Sequence, residues 1–84
     1  WNKRATVYYL LGKYDNSIED IAQTLLLEPR HFGALSGLGL VNRAIGRIDA
    51  AVIAFQKALE INPHLSGAKD ALRLIKNLSK EKET

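Results

Sequence analysis

An all-helical fold made of repeated helix pairs is the architecture that this 84-residue sequence predicts. Three observations predict it. The chain matches itself at an offset of 34: Pro29 pairs with Pro63, Gly12 with Gly46, Asp15 with Asp49, Ile18 with Val52, Leu25 with Leu59, Leu27 with Ile61, Tyr14 with Ile48 and Lys13 with Arg47. Within each period the apolar residues recur every three or four positions, the spacing of one stripe on an amphipathic helix. No stretch alternates β-branched residues between turn clusters, so no strand competes. A fixed period that holds two helices marks a stacked repeat, in which neighbouring units bury one another's apolar faces.

The elements follow in order. Trp1, Ala5, Tyr8 and Leu11 form the first stripe, and Gly12 stops it. Asp15 suits the start of the second helix, which carries Ile18, Ile21 and Leu25 and terminates at Pro29. Leu35, Leu38, Val41 and Ile45 mark a third helix, stopped by Gly46. Asp49 stands where a negative charge or a side-chain cap favours the next start. The fourth helix then carries Ile48, Ala51, Val52, Phe55, Ala58 and Leu59. Pro63 cannot continue it and restricts Asn62 before it. A fifth helix is expected from about Ser66 to Ser79, with Ala68, Ala71, Leu72, Ile75 and Leu78 on its apolar side.

Composition bounds the function. One small domain is all that this length allows, and a chain of this size buries about 60% of its unfolded surface. Hydrophobic residues make up 46% and charged residues 25%, an ordinary globular balance. Lys and Arg number 12 against nine Asp and Glu, giving +3, too small an excess to single out nucleic acid or an anionic membrane. The absence of cysteine excludes disulfides, Cys-based zinc sites and a Cys nucleophile. The longest charge-free stretch, His31 to Asn42, has 12 residues, whereas a membrane span needs about 20. No signal peptide is visible at the front.

The period and its residues resemble the tetratricopeptide repeat, which runs to about 34 residues. That family's pattern wants a large apolar residue, Leu-Gly and an aromatic in the first helix, then Ala, an aromatic, Ala and Pro in the second. Phe32 to Leu65 answers with Leu35, Leu38-Gly39, Ala51, Phe55, Ala58 and Pro63; Asn42 stands where the aromatic is usual. The earlier repeat offers Trp1, Ala5, Tyr8, Tyr14 and Pro29, with Arg4 for the leucine, Ser17 and Thr24 for the two alanines and Ile21 for the aromatic. Arg4 fits there only at a frayed or partner-covered end. Gly39, Ala51 and Ala58 are small where two helices approach closely, and Phe55 fills the space they leave. The resemblance covers residues 1 to about 65. It implies tetratricopeptide-type helix-turn-helix repeats stacked as a short right-handed α-solenoid of five helices. Residues 1–31 form an N-terminally truncated first repeat, 32–65 a second, and 66–84 a capping helix with a polar tail. The register also places Trp1 partway into its helix, so the chain is expected to begin inside a longer protein.

Catalytic constellations are missing, and no enzyme activity, cofactor or metal is expected. His31 and His64 read as exposed residues of equivalent turns. Gly33-Ala34-Leu35-Ser36-Gly37 has its serine one place too late for a nucleophile elbow and no strand before it. Gly37-Leu38-Gly39 is no dinucleotide loop for the same want of a strand. Glu19 with Asp20, and Glu81 with Glu83, read as solvated helix charge. Lys69, Arg73, Lys76, Lys80 and Lys82 accumulate in the last helix, but Asp70, Glu81 and Glu83 dilute them and no aromatic interleaves them. Weak nucleic-acid binding there ranks last among the expectations.

By the family resemblance, the first helix of each pair lines a concave side that takes a protein or peptide. The partner-facing positions are Asn2, Thr6, Tyr9 and Leu10 in the first repeat and Gly33, Ser36, Leu40, Arg43 and Ala44 in the second, with Asp70 on the last helix. These positions lie off the apolar stripe. Tyr9 and Leu40 are expected as apolar anchors, Arg43 as the carboxylate partner, and Asn2, Thr6 and Ser36 as bonding groups for a peptide backbone. The clamp by which some relatives hold the acidic tail of heat-shock chaperones falls on Asn2, Thr6, Gly37, Gly67 and Ala71, and none fits. The structural alternative is self-assembly, with the end near Trp1 and Tyr8 and the closing helix stacked on another copy or on the rest of a larger protein. The sequence is similar to small bacterial proteins with a few such repeats, often exported, so a soluble protein of the cytoplasm or periplasm is expected, without membrane insertion.

Overall fold

The computed structural model describes the backbone of residues 2–83 and the side chains of residues 2–77. Among the described residues there are five helices and no strand: α1 (Lys3–Leu10), α2 (Tyr14–Leu27), α3 (Phe32–Ala44), α4 (Ile48–Ile61) and α5 (Ser66–Glu83). Trp1, Thr84 and the side chains of Leu78, Ser79, Lys80, Glu81, Lys82 and Glu83 lie outside this description. The fifth helix runs on to Glu83 rather than ending near Ser79, because Lys and Glu favour helix and no breaker intervenes.

Each turn is set by its sequence. Gly12 and Gly46 take φ of +77° and +84°, the left-handed region open to glycine. After α1 the Lys13 N–H donates to the Tyr8 C=O at 2.8 Å and the Gly12 N–H to the Tyr9 C=O at 3.1 Å. After α3 the Arg47 N–H donates to the Asn42 C=O at 2.8 Å and the Gly46 N–H to the Arg43 C=O at 3.2 Å. Both are the paired bonds of a Schellman ending. Asp15 and Asp49 fall in the first turns of α2 and α4, where no side chain caps the helix, so they act there through charge. Glu28 and Asn62 leave helical geometry, with ψ of 85° and 92°, as the following prolines require. Asn2 caps α1, its Oδ1 accepting from the Ala5 N–H at 2.7 Å. His31, read from sequence as an exposed turn residue, is half-buried and caps α3: its Nδ1 accepts from the Ala34 N–H at 2.9 Å. His64 is exposed.

Successive helices pack on one another, α1 on α2 through α4 on α5, in a body of 41 × 27 × 17 Å. Two clusters form the core. Ala5, Ile21, Ala34 and Val41 join α1, α2 and α3, with Tyr9, Tyr14, Ile18, Leu25 and Leu38 packed round them. Ala51, Phe55, Ala68, Ala71 and Ile75 join α4 and α5, and Leu40 of α3 packs against them with Val52, Leu59, Leu65 and Leu72. Leu11, expected on the first stripe, is largely exposed as the C-cap of α1.

The helices approach closest where side chains are smallest. A Cβ at Gly39 would lie 2.6–2.7 Å from three carbons of the fully buried Phe55 ring, so α3 and α4 pack at this distance only with glycine there. Shifted by 34, the same pair is Ala5 and Ile21, both fully buried in one cluster. A methyl has been added on one helix and a ring reduced to a branched chain on the other.

The other departures in the first repeat are also compensated. Arg4 needs no frayed end: its Nε donates to Asp20 Oδ2 and its Nη2 to Asp20 Oδ1, both at 2.7 Å. Asp20 is only 6% exposed and is no solvated surface charge. The matching residues in the second repeat are Leu38 and Ala54, so an ion pair replaces an apolar pair. The Arg4 guanidinium hydrogen-bonded to Asp20 lowers the carboxyl pKa from its ordinary value, against the opposing effect of burial, and the guanidinium pKa rises in turn. Ser17, in the place of Ala51, donates its hydroxyl to the Ala5 C=O at 2.8 Å. Thr24, in the place of Ala58, donates to the Asp20 C=O at 3.1 Å and accepts from Asn2 Nδ2 at 3.0 Å.

Gly39→Ala should lower the urea midpoint, since overpacking of about 1–3 kcal/mol exceeds the roughly 0.5–1 kcal/mol that alanine gains in a helix. Combined with Phe55→Ile, which installs the first repeat's pair, the loss should be smaller than the sum of the single losses; additive losses would separate the two side chains. Because the folded pKa of Asp20 lies below its unfolded one, the ion pair stabilises fully above the ordinary aspartate value of about 3.9 and is lost as pH falls through the folded value. Asp20→Asn should therefore flatten the acid limb of the stability profile below about pH 4. Arg4→Leu with Asp20→Ala should recover stability that Arg4→Leu alone removes. An acid limb unchanged in Asp20→Asn would contradict this.

Candidate functional site

The partner-facing positions expected from the sequence fall on α1, α3 and α5 in one register. Asn2, Thr6, Tyr9 and Leu10 correspond, 34 residues on, to Ser36, Leu40, Arg43 and Ala44, and Ser36 corresponds in turn to Asp70. Gly33 lies in the first turn of α3, one turn before Ser36. Residues at such spacings share one side of a helix.

Their environments differ. Tyr9 is half-buried, packs against the first core cluster, and sets its ring 5.8 Å from that of Tyr14 at a tilt of 54°. Leu40 is half-buried against the second cluster. Each is thus held by the core at its base while part of it meets solvent. Leu10 is 75% exposed, Ala44 is exposed, and Gly33 is half-buried. The polar atoms of Asn2 and Thr6 are engaged within the chain. Asn2 caps α1 and reaches Thr24, and the Thr6 hydroxyl donates to the Asn2 C=O at 3.0 Å. Ser36, Arg43 and Asp70 hold no side-chain hydrogen bond or ion pair among the described residues. Arg43 occupies the last turn of α3, where a cation suits the helix dipole.

Elsewhere, Lys69, Arg73 and Lys76 are all exposed on α5, with Asp70 beside Lys69. Among the described residues no group of three or more His, Cys, Asp or Glu side chains could hold a metal ion, and no helix is long and apolar enough to cross a membrane. Sequence reasoning missed the Arg4–Asp20 pair, the His31 cap and a cleft beside Asn42. The signal for the first was available: Arg4 and Asp20 are opposite charges standing at the offset of Leu38 and Ala54. For the last, the departure at Asn42 was visible but its spatial consequence was not.

Comparison with known proteins bears on the same register. The tetratricopeptide repeat family matches residues 2–66. A TPR repeat-containing protein of Rhizobium etli is 36% identical over 75 residues, which is 89% of this chain and 37% of that protein. Small glutamine-rich tetratricopeptide repeat-containing protein 2 of Mycosarcoma maydis is 33% identical over 63 residues, 75% of this chain and 18% of its own length. Anaphase-promoting complex subunit 3 of Schizosaccharomyces pombe is 39% identical over 54 residues, 64% of this chain and 8% of its own. The chain therefore spans well under half the length of these relatives. With most of its length matched and its helix pairs stacked at the family's period, this chain belongs to the tetratricopeptide repeat family, helical-repeat solenoids that generally mediate contacts between proteins.

Proposed function

We propose that this chain is a protein-binding module without catalysis of its own, in which a first repeat (1–31), a second repeat (32–65) and a closing helix with its tail (66–84) offer one face to a peptide or helix. The observation that carries this reading is the shared register of α1, α3 and α5. It aligns Tyr9 and Leu40, anchored at their bases by the two core clusters, with Ser36, Arg43 and Asp70, whose polar groups are unengaged among the described residues. Rigid apolar groups beside uncommitted polar ones suit binding, because little side-chain entropy is lost on contact. Arg43 favours a partner with a carboxylate. Asn2 and Thr6 each commit one bond per polar atom within the chain and keep spare hydrogen-bond capacity for a peptide backbone at the end of this face. The partner meets the chain in water, in the cytoplasm or the periplasm. One relative is by its name a subunit of a larger complex, which supports a role in assembly.

Peptides selected from a displayed library on the intact chain provide the test. Replacing Tyr9, Leu40 and Arg43 together with alanine removes core packing as well as the face, so the variant should be less stable. At a temperature where circular dichroism shows it folded, it should bind the selected peptides at least tenfold more weakly. Retained affinity in that variant counts against this face.

A specific observation favours stacking as a second reading. Val7 is 50% exposed, whereas its counterpart Val41 is fully buried against Ala5, Ile21 and Ala34. The outer side of α1 therefore presents the type of surface that on α3 is covered by α1 and α2, and a second copy or another part of a larger protein would bury it. Sedimentation across a concentration series should then show association that Val7→Lys abolishes; a strict monomer at every concentration removes self-stacking.

A further inference from the structure

The two repeats differ at one aromatic position in a way that opens a cleft. Tyr8 on α1 corresponds to Asn42 on α3. Asn42 is buried, and its Nδ2 donates back to the Leu38 C=O of the preceding turn at 3.0 Å, so a short amide lies along its own helix where a ring would project. Beside it, between α2, α3 and α4, is a cleft of about 330 Å³. Leu25, Leu38, Ile53 and Ala54 supply apolar walls; Asn42 and Lys57 supply its polar groups. That volume stands at the lower end for small-molecule sites, which run from about 300 to 1,000 Å³. It suits one inserted side chain or one small ring.

Two features of the chain indicate what fits. The first repeat places a phenol ring at the position that Asn42 leaves short. Lys57 is exposed, has no carboxylate partner among the described residues, and replaces the neutral Gln23 of the first repeat. A cation has thus been added only at the repeat whose ring is missing. An ammonium at the edge of apolar walls attracts an anion more strongly than one in open water.

We propose that this cleft receives an aromatic side chain from a partner protein, with a carboxylate adjacent to the ring meeting Lys57. The surface is separate from the face bearing Tyr9, Leu40 and Arg43, so either can fail without the other. The aromatic ring replaces water against Leu25, Leu38 and Ile53, and the charge pair selects which rings are held. An acidic residue next to the aromatic in the partner completes the recognition.

Two small probes test this on the full chain: p-cresol, which carries the ring alone, and 4-hydroxyphenylacetate, which adds a carboxylate. In methyl-detected NMR titrations both should shift the signals of Leu25, Leu38 and Ile53, with the carboxylate probe binding several-fold more tightly. Lys57→Gln should reduce it to the level of p-cresol. Asn42→Tyr supplies the ring from within the chain and should abolish both titrations. Ile53→Trp, at a half-exposed position, closes the cleft independently of any change at 42 and should do the same. No shift of these methyls in the parent, or shifts of equal size in the folded blocked variants, overturns the site. A carboxylate preference that survives Lys57→Gln overturns the assignment of the charge.

Discussion

Everything in this structure depends on how closely the two helices of a pair can approach. At Gly39 the backbone of α3 lies so near the Phe55 ring that no side chain fits between them. That approach buries the ring completely and brings Ala51 and Ala58 of α4 out of water with it. Without it, Phe55 would have nowhere to pack, and among the described residues no other aromatic is buried to the same degree. The turns serve the same end. Gly12 and Gly46 reverse the chain within the span of a Schellman ending, so each second helix starts already beside the first.

The repeats keep this geometry with different chemistry. Glycine against phenylalanine becomes alanine against isoleucine; leucine against alanine becomes an arginine–aspartate pair; two alanines become hydroxyl residues whose oxygens find backbone carbonyls. In each case the change on one helix is answered on its neighbour or on its own backbone. The first repeat is thereby more polar inside without leaving a buried side-chain donor or acceptor unpaired among the described residues. An ion pair at such a site ties register more strictly than an aliphatic contact does, because bidentate geometry tolerates little sliding. The cost is sensitivity to acid, which the second repeat, with Leu38 and Ala54, does not share.

Much of the fold was legible in the sequence because it is written twice. Matching glycines and prolines at one offset mark where helices stop, and the three-or-four spacing marks which sides are buried. What the residues could not disclose lay in contacts between positions distant along the chain. Arg4 looks misplaced until Asp20 is seen beside it, 16 residues away. His31 looks like a loop residue because histidine is not among the usual capping types. Asn42 reads as a departure from a pattern, but the space it leaves depends on Leu25 and Ile53 from two other helices. The positions of the binding face were legible as a register; which of their polar atoms are already bonded was not. Asn2 shows this well, since its capping role depends on the helix starting at Lys3.

Nuclear Overhauser contacts between the Phe55 ring protons and the Gly39 α-protons report directly on the helix approach from which the rest follows. Strong contacts, with the Gly39 α-protons displaced by the ring current, are the expected result. Gly39 α-protons at unstructured-chain positions with no contact to Phe55 would mean that α3 and α4 do not close on one another, and the stacked solenoid would not stand.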